Sequence, residues 1–158
     1  MDKRWIIIFV IFLLGMSGLY FTANESYKIG DAISIIDNVI ITLPQNFKIA
    51  EKTPDQLTIC DRSSDDTISV KLIKDYKDAY SLMKTNMSKN DENSDFKVSD
   101  IKVFEIKDKT TGNSTYYFNK FNKTFIIKSE NYNNVDKENS DVNYIIDSIR
   151  IDFKVKEK

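Results

Sequence analysis

Apolar positions are continuous at the start of the chain and periodic afterwards. From Trp5 to Phe21 (WIIIFVIFLLGMSGLYF) seventeen residues carry no charge. Wound as a helix they cover roughly 26 Å, slightly less than a ~30 Å hydrocarbon core, and Thr22 and Ala23 extend the span at little cost. Lys3 and Arg4 precede the run, and Trp5 and Tyr20 lie near its ends, where amphipathic rings favour the headgroup layer. The pattern predicts a cytoplasmic N-terminus over 1–4, one transmembrane helix over 5–23 acting as a signal anchor, a juxtamembrane segment over 24–32 and an extracytoplasmic domain over 33–155. A cleaved signal peptide is the alternative. Gly15 and Ser17 suit positions −3 and −1 of a cleavage site, but that site lies inside the run, and cutting after Ala23 would place Phe21 at −3. Under either reading Lys3 and Arg4 stay cytoplasmic and the remainder is exported.

Beyond residue 31 the period becomes two. Residues 32–36 and 39–43 flank Asp37-Asn38, a pair suited to positive φ in a two-residue hairpin turn. Ile41 and Leu43 share one strand face and are expected in the core, and Pro44 stops the strand because it has no amide hydrogen for a ladder. A second hairpin pairs 56–60 with 67–73 across the polar turn 61–66. A helix is expected next, capped by Asp75, with Tyr76, Ala79, Tyr80, Met83 and Met87 forming one apolar stripe. Residues 88–95 (SKNDENSD) read as a solvated loop. Strands are expected over 98–107, 115–119 and 124–129, then a short helix near 141–148 and a last strand over 149–155. The order β-β-β-β-α-β-β-β-α-β indicates an α+β sandwich, a largely antiparallel sheet with helices packed on a face.

Composition narrows the chemistry more than it names any. Lys plus Arg is 23 against 24 for Asp plus Glu, a net charge of −1, which argues against nucleic acid as a partner. With no histidine there is no Ser-His-Asp triad, no Cys-His dyad and no zinc-protease or zinc-finger site. One cysteine allows no intramolecular disulfide or CxxC pair, and four glycines leave no Walker loop or GxGxxG fingerprint.

Two segments resemble a known family. Ile41-Thr42-Leu43-Pro44-Gln45-Asn46-Phe47 is similar to the strand and Leu/Ile-Pro-x-Gly/Asn-Phe/Trp opening of the PsbP-like α/β sandwich. The closing Ile145-Ile146-Asp147-Ser148-Ile149-Arg150-Ile151 resembles that family's last helix running into a strand. The chain is also similar to small membrane-anchored exported proteins of methanogenic archaea that carry an IPxGF segment. Asn46 stands where glycine is the common choice, and Asn also tolerates a left-handed turn. The resemblance spans about residues 33–153. It implies the sandwich fold, an extracytoplasmic location and binding to or assistance of membrane complexes, and it brings no catalytic residues.

The candidate sites are few. Asp61, Asp65 and Asp66, with Asp55 nearby, could supply oxygen ligands to Ca²⁺, but a solvated hairpin turn explains them more simply. Asp136, Glu138, Asp141 and Asp147 have a faint EF-hand spacing; the sixth position is Asp141 in place of glycine and the closing Glu is missing, so a helix start explains them better. Cys60 lacks a neighbouring base and reads as structural. Carboxylates are scattered without a specific pair for acid–base work. Among Tyr116, Tyr117, Phe118, Phe121, Phe125 and Tyr132, alternation sends part of the set into the core. Tyr117 and Phe121 remain as the candidate partner surface. Sequons begin at Asn24, Asn86, Asn113 and Asn122.

These readings converge on a membrane-anchored, extracytoplasmic, non-catalytic binding or accessory module without catalytic, cofactor or metal residues. Its expected partners are the membrane through residues 5–23 and an envelope protein or glycan, not nucleic acid. A small envelope hydrolase using carboxylates and a purely structural surface protein are the alternatives.

Overall fold

Alternating apolar positions in the middle of the chain build an antiparallel sheet whose two faces are both covered. The computed structural model describes residues 32–34 and 39–151. The expected transmembrane run lies outside them, as do residues 152–155 of the expected last strand. Among the described residues no helix is long and apolar enough to cross a membrane. In chain order the elements are β1 (Ala32–Ser34), β2 (Val39–Thr42), β3 (Phe47–Lys52), β4 (Gln56–Asp61), β5 (Thr67–Ile73), α1 (Ala79–Asn86), β6 (Asp91–Val98), β7 (Ile101–Asp108), β8 (Ser114–Lys120), β9 (Lys123–Glu130), α2 (Val135–Ser148) and β10 (Arg150–Ile151). Seven strands form one sheet in the order β3-β4-β5-β9-β8-β7-β6, and β1-β2-β10 form a second, three-stranded sheet. The class is α+β, as expected.

The expected β4–β5 and β8–β9 hairpins form, Ile59 opposite Ile68 and Phe118 opposite Phe125. β1 pairs antiparallel with β2, but with Ile33 opposite Ile41, one residue off the register that a two-residue Asp37-Asn38 turn would impose. On one face of the large sheet Leu57, Ile59, Ile68, Phe118, Phe125 and Ile127 enter the main core, with Ile41 and Leu43 of the small sheet and Val142, Ile145 and Ile146 of α2. The opposite face carries a smaller cluster, in which Tyr117 and Ile106 pack under Ala79 and Met83 of α1. The helices therefore cover opposite faces of the sheet and do not share one.

Four expectations need correction. β3 was not anticipated; apart from Phe47 its residues are exposed, so it carries no apolar alternation. Residues 88–95 are not a loop through their length, because β6 begins at Asp91 and pairs with β7 over all eight of its residues. It is an edge strand whose polar side chains meet water. α1 is capped by Asp78, not Asp75: its Oδ2 accepts from the Ser81 amide at 2.8 Å. Asp75 cannot cap because the intervening backbone is committed elsewhere. The Lys77 amide donates to Thr124 Oγ1 at 2.9 Å, and the Lys77 carbonyl accepts from Thr124 Oγ1 at 2.6 Å and Asn119 Nδ2 at 2.9 Å. α2 starts at Val135, well before residue 141, with Asn134 Oδ1 accepting from the Asp136 and Lys137 amides. Its buried stripe is Glu138, Val142, Ile145 and Ile146, and an acidic residue in that stripe disguised the first half of the helix.

Candidate functional site

The acidic turn between β4 and β5 is exposed from Arg62 to Asp65, but the two aspartates at its ends are buried against a lysine. Asp61 and Asp66 are buried, and the Lys137 ammonium reaches both from α2. Lys137 Nζ lies 2.7 Å from Asp61 Oδ2 and also donates to Asp66 Oδ2. The amide and hydroxyl of Ser63 each donate to Asp61 Oδ1 at 2.7 Å. Lys137 thus supplies the positive charge that a cation between these carboxylates would supply. Burial alone would push the Asp61 carboxyl up, but the bonds from Lys137 and Ser63 outweigh it and bring its pKa down to about 2. A carboxyl so acidic cannot hold a proton to donate at neutral pH. Burial likewise works against the Lys137 ammonium, and its bonds to Asp61 and Asp66 prevail, holding its pKa above the ordinary lysine value. Asp65 stays exposed, and its carbonyl accepts from Thr67 Oγ1 and Asn131 Nδ2.

Next to this triad α2 carries two more polar contacts. Tyr132 Oη donates to Asp141 Oδ2 at 3.1 Å, and burial raises the pKa of both groups. Glu138 is buried under the helix, where it accepts from Tyr116 Oη at 3.0 Å and from Ser129 Oγ. Burial raises the Tyr116 pKa, and the nearby Glu138 charge adds to it. Tyr116, Ser129 and Glu138 are all sealed from solvent, so they position α2 on the sheet and offer no substrate access. The faint EF-hand spacing is helical from Asp136 to Asp147, and Asp147 Oδ1 is taken by the Ser99 hydroxyl at 2.8 Å. Cys60 is a half-buried free thiol on β4.

The aromatic residues divide differently from the expectation. Phe118 and Phe125 stack in the main core with ring centroids 5.2 Å apart, and Tyr116 meets Phe96 edge-on. Tyr117, expected at the surface, is only 4% exposed. The face it points to is not free, because α1 lies across it. Phe121 is 50% exposed in the two-residue turn Phe121-Asn122, where both residues take positive φ as a tight hairpin requires. Lys120 Nζ lies 5.4 Å from the Phe121 ring centroid. The same ammonium donates to the Ile146 and Asp147 carbonyls at the end of α2, complementing the negative end of the helix.

Two further exposed rings were read as buried. Tyr76 precedes the helix and is 55% exposed; Tyr80 is 47% exposed, its ring 5.2 Å from that of Phe104. The Lys77–Asn119–Thr124 bonds tie the Tyr76 segment to the strand ends on either side of the Phe121 turn. The segments that carry the three exposed rings therefore meet at one end of the sheet, Tyr76 and Tyr80 with α1 and Phe121 beside Lys120, whose ammonium bonds the end of α2 on the other face. No sequence periodicity signals this, since it depends on bonds between residues more than forty positions apart.

The α1 side of the sheet also holds a groove of about 740 Å³, with Tyr117 and Ile126 at its floor and Lys71, Thr115, Lys128 and Asn86 around it. Of the sequons, Asn86 and Asn122 are exposed and Asn113 is half-buried, its Oδ1 accepting from the Asn131 amide at 3.3 Å; Asn24 lies outside the described residues. No family model and no curated protein matches this sequence.

Proposed function

We propose that the chain is a membrane-anchored, extracytoplasmic, non-catalytic accessory module, and that Tyr76, Tyr80 and Phe121 form the surface that binds an envelope partner. The observation that carries this reading is that three exposed rings lie on segments that meet at one end of the domain. Interfaces favour such rings because each covers much apolar area at little conformational cost. The anchor rests on the uncharged run from Trp5 to Phe21 behind Lys3 and Arg4. Ala32 lies opposite Thr42, whose amide donates to Ser148 Oγ, and the adjacent Asp147 carbonyl accepts from Lys120, next to Phe121. The first described residue, Ala32, is thus joined through β2 and the end of α2 to Lys120, beside the Phe121 turn. The PsbP-like resemblance points to the same kind of role.

Orientation is tested with protease added to right-side-out vesicles. Digestion of the domain beyond residue 24, with an intact N-terminal fragment left in the membrane, is the expected result. Complete protection of the domain would contradict the orientation, and a mature chain beginning near Gly18 or Asn24 would replace the anchor by a cleaved signal.

A further inference from the structure

The two edges of the large sheet are not equivalent. β3 is interrupted by a bulge between Ile49 and Glu51 and carries Lys48 and Lys52, features that discourage pairing with another chain. β6 has no such interruption. It pairs with β7 in unbroken register from Asp91 opposite Asp108 to Val98 opposite Ile101, and among the described residues no strand lies on its other side. Alternate residues of β6 therefore turn amide and carbonyl groups outward without a ladder partner.

From this edge we infer that β6 is the docking site for a second copy of the chain, pairing antiparallel with its own counterpart to continue the sheet across a two-fold axis. The axis would be perpendicular to the sheet, so facing residues must point to the same side. Glu92, Ser94, Phe96 and Val98 share one face, and Asp91, Asn93, Asp95 and Lys97 the other. Centred on Ser94, the pairing sets Asp95 opposite Asn93 and Lys97 opposite Asp91, each twice by symmetry. Centred on Asp95 it sets Asp95 against itself, and centred on Asn93 it sets Asp91 against Asp95. A Phe96 centre would face Asp95 with Lys97 but pair fewer residues of the strand and call on an Asp95 that Lys102 already engages. Of these four registers the Ser94 one is favoured: it brings opposite charges together and like charges nowhere. The side chains suit it. Asp95 and Glu92 are engaged by Lys102 and Lys109 of their own chain, whereas Lys97 has no ion pair among the described residues. Asp91 uses Oδ2 to accept from the Ser88 amide. Such a two-fold leaves both β1 strands on the same side of the joined sheet, so two anchors could enter one membrane. The pairing itself does not depend on the anchor.

The test uses the full chain in detergent micelles, with protein mass measured by light scattering during size exclusion. The expected mass is twice 18.4 kDa. Lys97→Asp should weaken the dimer about tenfold or more, since it exchanges two attractive cross-strand pairs for two repulsive ones. The swap Asp91→Lys with Lys97→Asp should restore it. In a Cys60→Ser background, Ser94→Cys should oxidise to a covalent dimer because a self-facing pair lies within disulfide reach, and Asp95→Cys should not. A wild-type monomer at every concentration would overturn the inference. So would a dimer indifferent to Lys97→Asp, or one that the charge swap fails to restore. Unchanged thermal midpoints, expected because these side chains are exposed, separate lost pairing from lost folding.

Discussion

Lys137→Met is expected to lower the stability of the domain by about 3 kcal/mol, the lower end of the ~3–5 kcal/mol range for removing one partner of a buried ion pair. The substitution leaves Asp61 and Asp66 facing each other in a buried site with no positive charge between them. The lower end applies because the Lys137 side chain is 38% exposed, so water can partly take its place. The acid limb of stability should move as well. In the folded chain Asp61 titrates at about 2, below the ordinary 3.8, so its contribution is fully present above pH ~3.8 and is lost as pH falls toward 2. Asp141 works in the opposite sense: burial raises its pKa, so its contribution is present at low pH and is lost as pH rises through the raised value. Removing Lys137 raises the Asp61 pKa and shifts the acid unfolding limb to higher pH. Denaturant unfolding at neutral pH and thermal midpoints between pH 2 and 6 check both effects. A neutral Lys137→Met with an unmoved acid limb would show that water serves the two carboxylates as well as lysine does.

Tyr117→Ala and Phe121→Ala should differ sharply, although the residues are four positions apart on one hairpin. Tyr117 fills the space between the sheet and α1, beside Ala79, Met83 and Ile106. Truncating a buried aromatic ring typically costs about 3–5 kcal/mol, and here it would also loosen α1. Phe121 is exposed in its turn, and its truncation should stay within about 0.5 kcal/mol. Urea unfolding of the two variants checks the contrast. Equal costs would mean that the turn packs more tightly than its exposure indicates.

The same contrast shows how far the sequence could be read. Alternation identified the β4–β5 and β8–β9 hairpins and the burial of Ile41 and Leu43, because strands in contact with a core carry a period of two. It could not decide whether the second face of β8 is wet, since that depends on where α1 lands; Tyr117 was misplaced for this reason and Phe121 was not. Edge strands escape the same test. β3 and β6 touch the core only through Phe47 at one end and Phe96 and Val98 at the other. The acidic turn is exposed from Arg62 to Asp65 as expected, but the burial of Asp61 and Asp66 was not legible because their counter-charge, Lys137, lies 76 residues from Asp61 and 71 from Asp66 in the chain. Tyr76 and Tyr80 have helical spacing, but the Lys77 backbone bonds Asn119 and Thr124 so that Tyr76 precedes the helix, and within α1 it is Ala79 and Met83 that are buried, leaving Tyr80 outside.

The central claim, that the aromatic end meets an envelope partner, is tested most directly by photo-crosslinking in the native membrane. A benzophenone side chain is placed in the full chain at Phe121, at Tyr80 or, as a control, at Lys71 in the groove on the α1 side of the sheet. The expected result is one discrete heavier species from Phe121 and Tyr80, containing the same second protein, and none from Lys71. No adduct at Phe121 or Tyr80, or the same adduct from all three positions, would contradict the account.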